Sequence, residues 1–199
     1  QDWASIAPHT IEEAYELADA IARGEPEAVR DELGDVLFQV VFQSRIAEER
    51  GLFDFDAVAA WTADKLERRH PHVFGDAKVE DSAAQTRAWE QHKRAERMAR
   101  GQGGGALDGV TLGLPALIRA TRLGARAARA GFDWADAGGV IEKVREELGE
   151  LQDEIDNGDR ARTHEELGDL LFALSQAARH LGVDAEAALR DANAKFERR

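Results

Sequence analysis

Residues 31–39 read DELGDVLFQ, and residues 165–173 read EELGDLLFA. Each stretch sets a glutamate and an aspartate three residues apart, Glu32 with Asp35 and Glu166 with Asp169, inside a run rich in Val, Leu and Phe. On a helix, positions i and i+3 are neighbours on one face. A carboxylate held among apolar side chains without a partner is costly. A pattern that does this twice predicts something that meets the acids.

The match extends outward at a constant offset of 134. Glu12, Glu13, Glu16, Glu32 and Asp35 fall on Glu146, Glu147, Glu150, Glu166 and Asp169, so EEAYE pairs with EELGE and DELGDVLF with EELGDLLF. Further on the offset slips to 130, where KLERR at 65–69 pairs with KFERR at 195–199. Ungapped coincidence of this kind is the mark of a duplicated helical unit. The glycine-rich stretch RGQGGGALDG at 100–109 lies between the copies and reads as a flexible linker. The expected organisation is a first domain over 1–100, a linker over 101–107 and a second domain over 108–199.

Punctuation sets the elements. A first helix is expected from Thr10, as N-cap with Glu13 three residues on, to Ala22. Gly24, Glu25 and Pro26 make a turn. A second helix runs from Pro26 to Arg50, a third from Asp56 to before Pro71, and a fourth from Asp81 to Arg100. The second copy predicts helices over 115–130, 138–156, 160–181 and 184–199, with Asn157 and Gly158 at the hairpin turn. His70, in the HPH of 70–72, stands where a helix ends and reads as a cap favoured by the helix dipole.

The composition agrees with an all-α chain. It holds 199 residues, 43% hydrophobic and 33% charged, with four prolines and no cysteine. Disulfides and thiolate metal sites are therefore excluded. No stretch is long and apolar enough for a membrane span, and the opening QDWASIAPHT carries no secretory pattern. The cytoplasm is the expected compartment. A net charge of −13 argues against a general nucleic-acid binder, which is usually basic. A polyphosphate ligand would need bridging cations and a few local Lys or Arg.

Glu16 lies eight residues before Gly24 and Glu32 eight after it; Glu150 and Glu166 stand in the same relation to Gly158. Two antiparallel helices rise equally from a tight turn, about 1.5 Å per residue, so the acids reach one height. Glu12 and Glu16 (i, i+4) and Glu13 and Glu16 (i, i+3) share a face. The following helix is apolar almost all round, with Leu33, Val36, Leu37, Phe38, Val40, Val41, Phe42 and Ile46, which argues against Glu32 and Asp35 being simply solvated. Gly34 and Gly168 stand at a cost to the helix and suggest a close backbone approach or room for a ligand. Converging carboxylates repel unless protons or cations intervene. Oxygen donors without cysteine or matched histidine suit a hard cation, Mg²⁺ first and Mn²⁺ second.

EExxE, then fifteen residues, then ExxD resembles the MazG family of nucleoside triphosphate pyrophosphohydrolases. TIEEAYELADAI, DELGDVLFQVVF, KLERRHPHVFGD, WEQHK, GFDW, EELGDLLFA, ARHLG and ANAKFERR carry the resemblance along most of the chain, in the order of the tandem two-domain form. It implies an all-α fold of duplicated helical units, usually completed as a homodimer. It also implies Mg²⁺-dependent hydrolysis of (d)NTP to (d)NMP and pyrophosphate, in the house-cleaning of noncanonical or oxidised nucleotides. Glu13, Glu16, Glu32 and Asp35 then match the metal-binding acids of the first copy, and Glu147, Glu150, Glu166 and Asp169 those of the second. Glu12 or Glu13, and Glu146 or Glu147, are the candidates to orient the attacking water as general base. Lys65 with Arg69, and Lys195 with Arg199, match a phosphate-contacting basic pair. Trp89 and Lys93 match a tryptophan and lysine near the nucleotide. The second copy stops at Arg199, so its site is expected to lack a last helix in this chain.

Two other classes make different demands. A ferritin-like dimetal bundle needs paired Glu-x-x-His motifs; only Glu67 with His70 fits, once. A non-catalytic helical module explains the repeat but not the matched acids.

Overall fold

The structure is a computed structural model that describes residues 2–74 and 105–199. Among the described residues the regular elements are all helices: α1 (Trp3–Arg23), α2 (Pro26–Glu49), α3 (Phe55–Arg69), the single turn α4 (Pro71–Phe74), α5 (Ala116–Arg129), α6 (Ala137–Asn157), α7 (Arg160–His180) and α8 (Ala185–Glu197). The helix expected over Asp81–Arg100 lies outside the described residues. The chain divides into two compact units, residues 1–92 and 93–199.

Aspartates open most of the helices. Asp2, Asp54, Asp136, Asp159 and Asp184 each accept a backbone N–H of the first turn through the side chain. That contact satisfies an otherwise orphaned donor and places negative charge at the positive end of the dipole. Part of the large acidic charge is thus spent on helix starts. Gly24 and Gly158 close α1 and α6 in the left-handed conformation, at φ 70° and 73°. They set up the two hairpins, α1 with α2 and α6 with α7.

The start of α1 departs from the sequence reading. Thr10 is not its N-cap. The helix begins seven residues earlier at Trp3, capped by Asp2 in a reciprocal box with Ser5, and runs through Pro8. Pro8 removes one donor, but Trp3 fastens the extra turns: its indole Nε1 donates to the Gln43 carbonyl at 3.2 Å, its ring stacks on Phe53 at 6.2 Å, and Arg50 lies 5.0 Å over it. The Thr10 hydroxyl instead accepts from Gln43 Nε2 at 2.7 Å. His70 caps α3, as its place before Pro71 suggested, with ring Nδ1 2.9 Å from the Leu66 carbonyl oxygen.

In the first unit the hairpin is closed by small contacts, around Ile6, Ala20, Ile46 and Ala47. α2 departs in part from its expected burial: Ile46 is buried and Val36 and Phe42 are half-buried. Leu33, Leu37, Phe38, Val40 and Val41 are exposed, while Gln39 and Ser44 are buried. The apolar run therefore faces out of the unit rather than packing all round. A Cβ placed on Gly34 or Gly168 would meet nothing within 4 Å. No close backbone approach within the described residues requires either glycine, which leaves the open-space reading.

In the second unit α5 and α8 pack on the α6–α7 hairpin. Gln176 on α7 is fully buried; its Nε2 donates to the Ala120 carbonyl of α5 at 2.8 Å, and its Oε1 accepts from Arg179 Nε at 2.9 Å. Arg179 reaches on to Asp133 with both terminal nitrogens, one at 3.0 Å, and His180 Nε2 lies 2.9 Å from the same carboxylate. This chain ties the GFDW loop to α7. A Cβ on Gly124 of α5 would come within 1.6 Å of Gln176 Oε1. Gly124→Ala should lower the unfolding free energy of this unit by about 1–3 kcal/mol. In chemical denaturation the loss should shrink when Gln176→Ala is also present. Strictly additive losses in that double-mutant cycle would show that the two side chains do not collide.

Candidate metal centre

Each hairpin brings three glutamates together. Glu13 and Glu16 on α1 and Glu32 on α2 present carboxylate oxygens that all lie within 4.8 Å of one another; Glu147 and Glu150 on α6 and Glu166 on α7 do the same. The cause is local. One left-handed glycine joins each helix pair, and equal rise from it carries i, i+3 glutamates opposite a glutamate on the return helix. Asp35 and Asp169, one turn beyond Glu32 and Glu166, are exposed and stand outside these triplets. Glu12 is exposed, with His9 Nδ1 3.4 Å from its carboxylate; Glu146 is exposed and accepts from Lys143 Nζ at 2.7 Å.

The clusters feel their own charge. Desolvation among its neighbours raises Glu16 above the ordinary glutamate range, and Glu32, Glu13, Glu12 and Asp35 push it further the same way. Glu166 is raised by burial first and by Glu150 next, with Arg162 opposing and Asp169 and Glu147 adding. Glu32 Oε2 is buried and meets no hydrogen-bond donor among the described residues. An acceptor-only oxygen without a donor, beside two further carboxylates, is what a hard cation would satisfy.

The basic residues fall less neatly. Lys65 is half-buried, its Nζ 4.6 Å from the centre of the Trp61 ring. It shares α3 with Arg69, so their four-residue spacing does put them on one face. Lys195 is exposed near the end of α8, and Arg199 lies beyond the helix, so no helix face joins that pair. Trp89 and Lys93 lie outside the described residues.

Three residues at the clusters were not singled out by the sequence reading. Lys143 Nζ lies 2.8 Å from Glu147 Oε1. Arg162 joins Glu166 at 3.3 Å to Glu154 at 3.2 Å. In the first copy the buried amide of Gln39 donates to Glu13 Oε1 at 3.4 Å. The signal for the first two was present: Lys143 precedes Glu147, and Arg162 precedes Glu166, by the four residues that place them on one helix face.

The fold and site thus define an all-α protein of tandem hairpin units, each carrying a carboxylate triplet of metal-binding type. Residues 1–74 and 139–199 match the MazG nucleotide pyrophosphohydrolase domain. The chain is 51% identical over 201 aligned residues to a nucleoside triphosphate pyrophosphohydrolase of Escherichia coli (strain K12), all of this chain against 76% of that protein. It is 42% identical over 195 residues to the nucleoside triphosphate pyrophosphohydrolase/pyrophosphatase MazG of Thermotoga maritima, 98% of this chain against 73% of that protein. A nucleoside triphosphate pyrophosphohydrolase of Mycobacterium tuberculosis is 38% identical over 132 residues, 64% of this chain against 38% of that protein. The chain belongs to the MazG nucleotide pyrophosphohydrolase family.

The raised glutamates make stability depend on pH with a definite sign. A carboxyl whose folded pKa lies above its unfolded value binds more protons when folded. Its repulsion is relieved at low pH and returns as pH rises above about 4.3 through the folded value. Asp133 acts oppositely. The Arg179 hydrogen bond, joined by that of His180 and resisted by burial, holds its carboxyl well below the usual range. Its stabilisation is present above about pH 4 and is lost as pH falls below that. Without divalent cation, the melting temperature should therefore fall as pH rises from 5 to 7. Glu16→Gln with Glu166→Gln should flatten that slope, and so should added Mg²⁺. An unchanged slope in the double variant, read by differential scanning fluorimetry, would remove the clusters as its cause.

Proposed function

We propose that the chain hydrolyses (deoxy)nucleoside triphosphates to nucleoside monophosphate and pyrophosphate, using Mg²⁺ held by the two carboxylate triplets, with Mn²⁺ as a substitute. The observation that carries the reading is the pair of triplets, built alike in a chain whose relatives bear the name nucleoside triphosphate pyrophosphohydrolase. In this reading residues 1–100 and 108–199 are the two domains, joined by 101–107.

Glu13, Glu16 and Glu32 would hold the cation in the first copy, and Glu147, Glu150 and Glu166 in the second, with Asp35 and Asp169 on the adjacent turn. The orphaned Glu32 Oε2 and the all-oxygen donor set fit such an ion. When bound, Mg²⁺ supplies charge neutralisation at the phosphates and acidifies a bound water. Glu12 or Glu13, and Glu146 or Glu147, would orient the water and take its proton; Glu12 and Glu146 are exposed and stand outside the triplets. The water oxygen bonds to phosphorus as the bond to the departing phosphate oxygen breaks, and the proton passes to the carboxylate. Lys65 and Arg69, Lys195 and Arg199, and Trp89 and Lys93 are the proposed contacts to the phosphates and base. Lys143 and Arg162 add positive charge at the second triplet.

The wider setting follows from the same reading. The exposed Leu33, Leu37, Phe38 and Val41 of α2, and Leu167, Leu171 and Phe172 of α7, are apolar faces suited to cover by a second copy in a homodimer. No helix among the described residues is long and apolar enough to cross a membrane. We place the enzyme in the cytoplasm, removing noncanonical or oxidised nucleotides.

Phosphorus NMR of dNTP reactions is the direct test. Monophosphate and pyrophosphate should form only with Mg²⁺. Glu32→Ala and Glu166→Ala, each removing a carboxylate from one triplet, should separate the contributions of the copies. Loss of metal-site partners costs on the order of 10–100-fold even outside the ligand shell, so a copy that turns over should lose at least that. Orthophosphate and diphosphate as products, or turnover indifferent to Mg²⁺, would refute the reading.

A further inference from the structure

Arg162 and Glu154 stand across the turn at Gly158, four residues from it on either side. Arg162 lies in the first turn of α7, where Asp159 accepts from its backbone N–H at 3.1 Å. A positive side chain gains nothing from the helix dipole there, since that end favours anions. Two carboxylates hold it instead. Its Nε donates to Glu154 Oε1 at 3.2 Å and its Nη2 to Glu166 Oε1 at 3.3 Å. Glu154 first, and Glu166 next, push the guanidinium above its ordinary range. Taking 134 from each number sets Ala20 and Ala28 in their places in the first copy. The copy that has the arginine has the glutamate, and the other copy lacks both.

The two contacts occupy one edge of the guanidinium, Nε with Nη2. Nη1 meets no acceptor among the described residues. The Arg162 side chain is 55% exposed, where those of Glu154 and Glu166 are 19% and 10%. The second edge, Nη1 with Nη2, is therefore open to solvent beside the triplet. The planar fork of donors lets one arginine serve a carboxylate on one edge and a phosphate on the other. The two anchors differ in permanence. Glu166 is one of the three acids that converge, whereas Glu154 stands outside the triplet. A carboxylate turned to a cation has less to offer a guanidinium.

We infer that Glu154 is a positioning residue for the reaction at the second triplet: it anchors Arg162 through Nε, so that the open edge of the guanidinium stays presented to a phosphate of the substrate while Glu166 turns to the cation. The inference rests on the reading of this triplet as the cation site of a triphosphate hydrolase. Without Glu154 the long arginine side chain is tied only through Glu166, and the phosphate itself must order it on binding. With Glu154 the side chain is ordered before substrate arrives. A contact made alike to the bound substrate and to the transition state changes affinity rather than the chemical step, so its signature lies in KM.

Steady-state kinetics of dNTP hydrolysis test this in the full chain carrying Glu32→Ala, which removes the first copy from the readout. Glu154→Ala should raise KM about fivefold or more, with kcat changed much less. Glu154→Gln, whose amide oxygen still accepts from Nε, should restore most of the affinity. Arg162→Met should raise KM as well, and Glu154→Ala should then add nothing to it. NMR of the ¹⁵N-labelled parent chain gives a readout without turnover. The Arg162 Nε–H signal, identified by its absence in Arg162→Met, should persist when Mg²⁺ is added and shift when pyrophosphate follows. In Glu154→Ala with Mg²⁺ it should be lost to exchange with water. Additive effects of Glu154→Ala and Arg162→Met, equal damage from Glu154→Gln and Glu154→Ala, or a parent signal lost on adding Mg²⁺ would overturn the inference while leaving hydrolysis in place. Turnover abolished by Glu32→Ala alone would also overturn it, by placing the activity in the first copy. A parent chain without Mg²⁺-dependent turnover would overturn the underlying reading.

Discussion

Like charges that meet across a short hairpin must be compensated, and much of this molecule is arranged around that requirement. A glycine in the left-handed conformation sets two helices back to back at Gly24 and again at Gly158. The equal rise of the helices then delivers three glutamates to one place. The acids come from both helices, and the turn fixes their height. Three remedies exist, a proton, a side-chain cation or a metal ion, and the chain uses them unequally. Glu16 and Glu166 are pushed towards the protonated form. Lys143 and Arg162 serve the second cluster. The first cluster keeps a buried oxygen without a donor.

The rest of the fold serves to fasten the hairpins that carry the acids. In the first unit this is done by the tryptophan clasp at Trp3 and by the amides of Gln39 and Gln43, which cross from α2 to α1. In the second it is done by Gln176 and the Arg179–Asp133 pair, which fasten α5 and the GFDW loop to α7. Buried polar groups here carry specificity that an apolar contact would not, since each amide has one geometry in which it is satisfied. The hydrophobic core within each unit is correspondingly small, and large apolar side chains of α2 and α7 remain on the outside. That division of labour is coherent if the outward faces are to be buried against another copy.

Much of this was legible in the sequence because it depends on spacing. The repeat, the glycine turns, the helices of the second copy and the convergence of Glu13, Glu16 and Glu32 follow from counting residues along regular helices. What was not legible depends on contacts between distant residues. Thr10 reads locally as an N-cap, and the hold of Trp3 on Gln43 and Phe53 shows why α1 begins before it and runs through Pro8. The apolar run of α2 reads as buried, yet composition does not say whether the chain itself or another molecule does the burying. Lys143 and Arg162 were hidden for a different reason. A repeat shows itself through what its copies share, and these residues are where the copies differ.

Those differences are not independent, which bears on how the copies diverged. Arg162 placed alone beside Glu166 would bring a charge into a partly buried setting; Glu154 gives it a second carboxylate, while the aligned Ala20 is fully buried in the first copy's core. A lone Glu at position 20 would be a charge buried without a partner, at a cost of several kcal/mol. Likewise Gln39 suits a Glu13 that has no lysine, and Ala173 suits a Glu147 that has one. The two clusters are thus two consistent solutions to one electrostatic problem, reached on the same hairpin. An intact pair of acidic motifs is therefore not enough to make the copies equivalent.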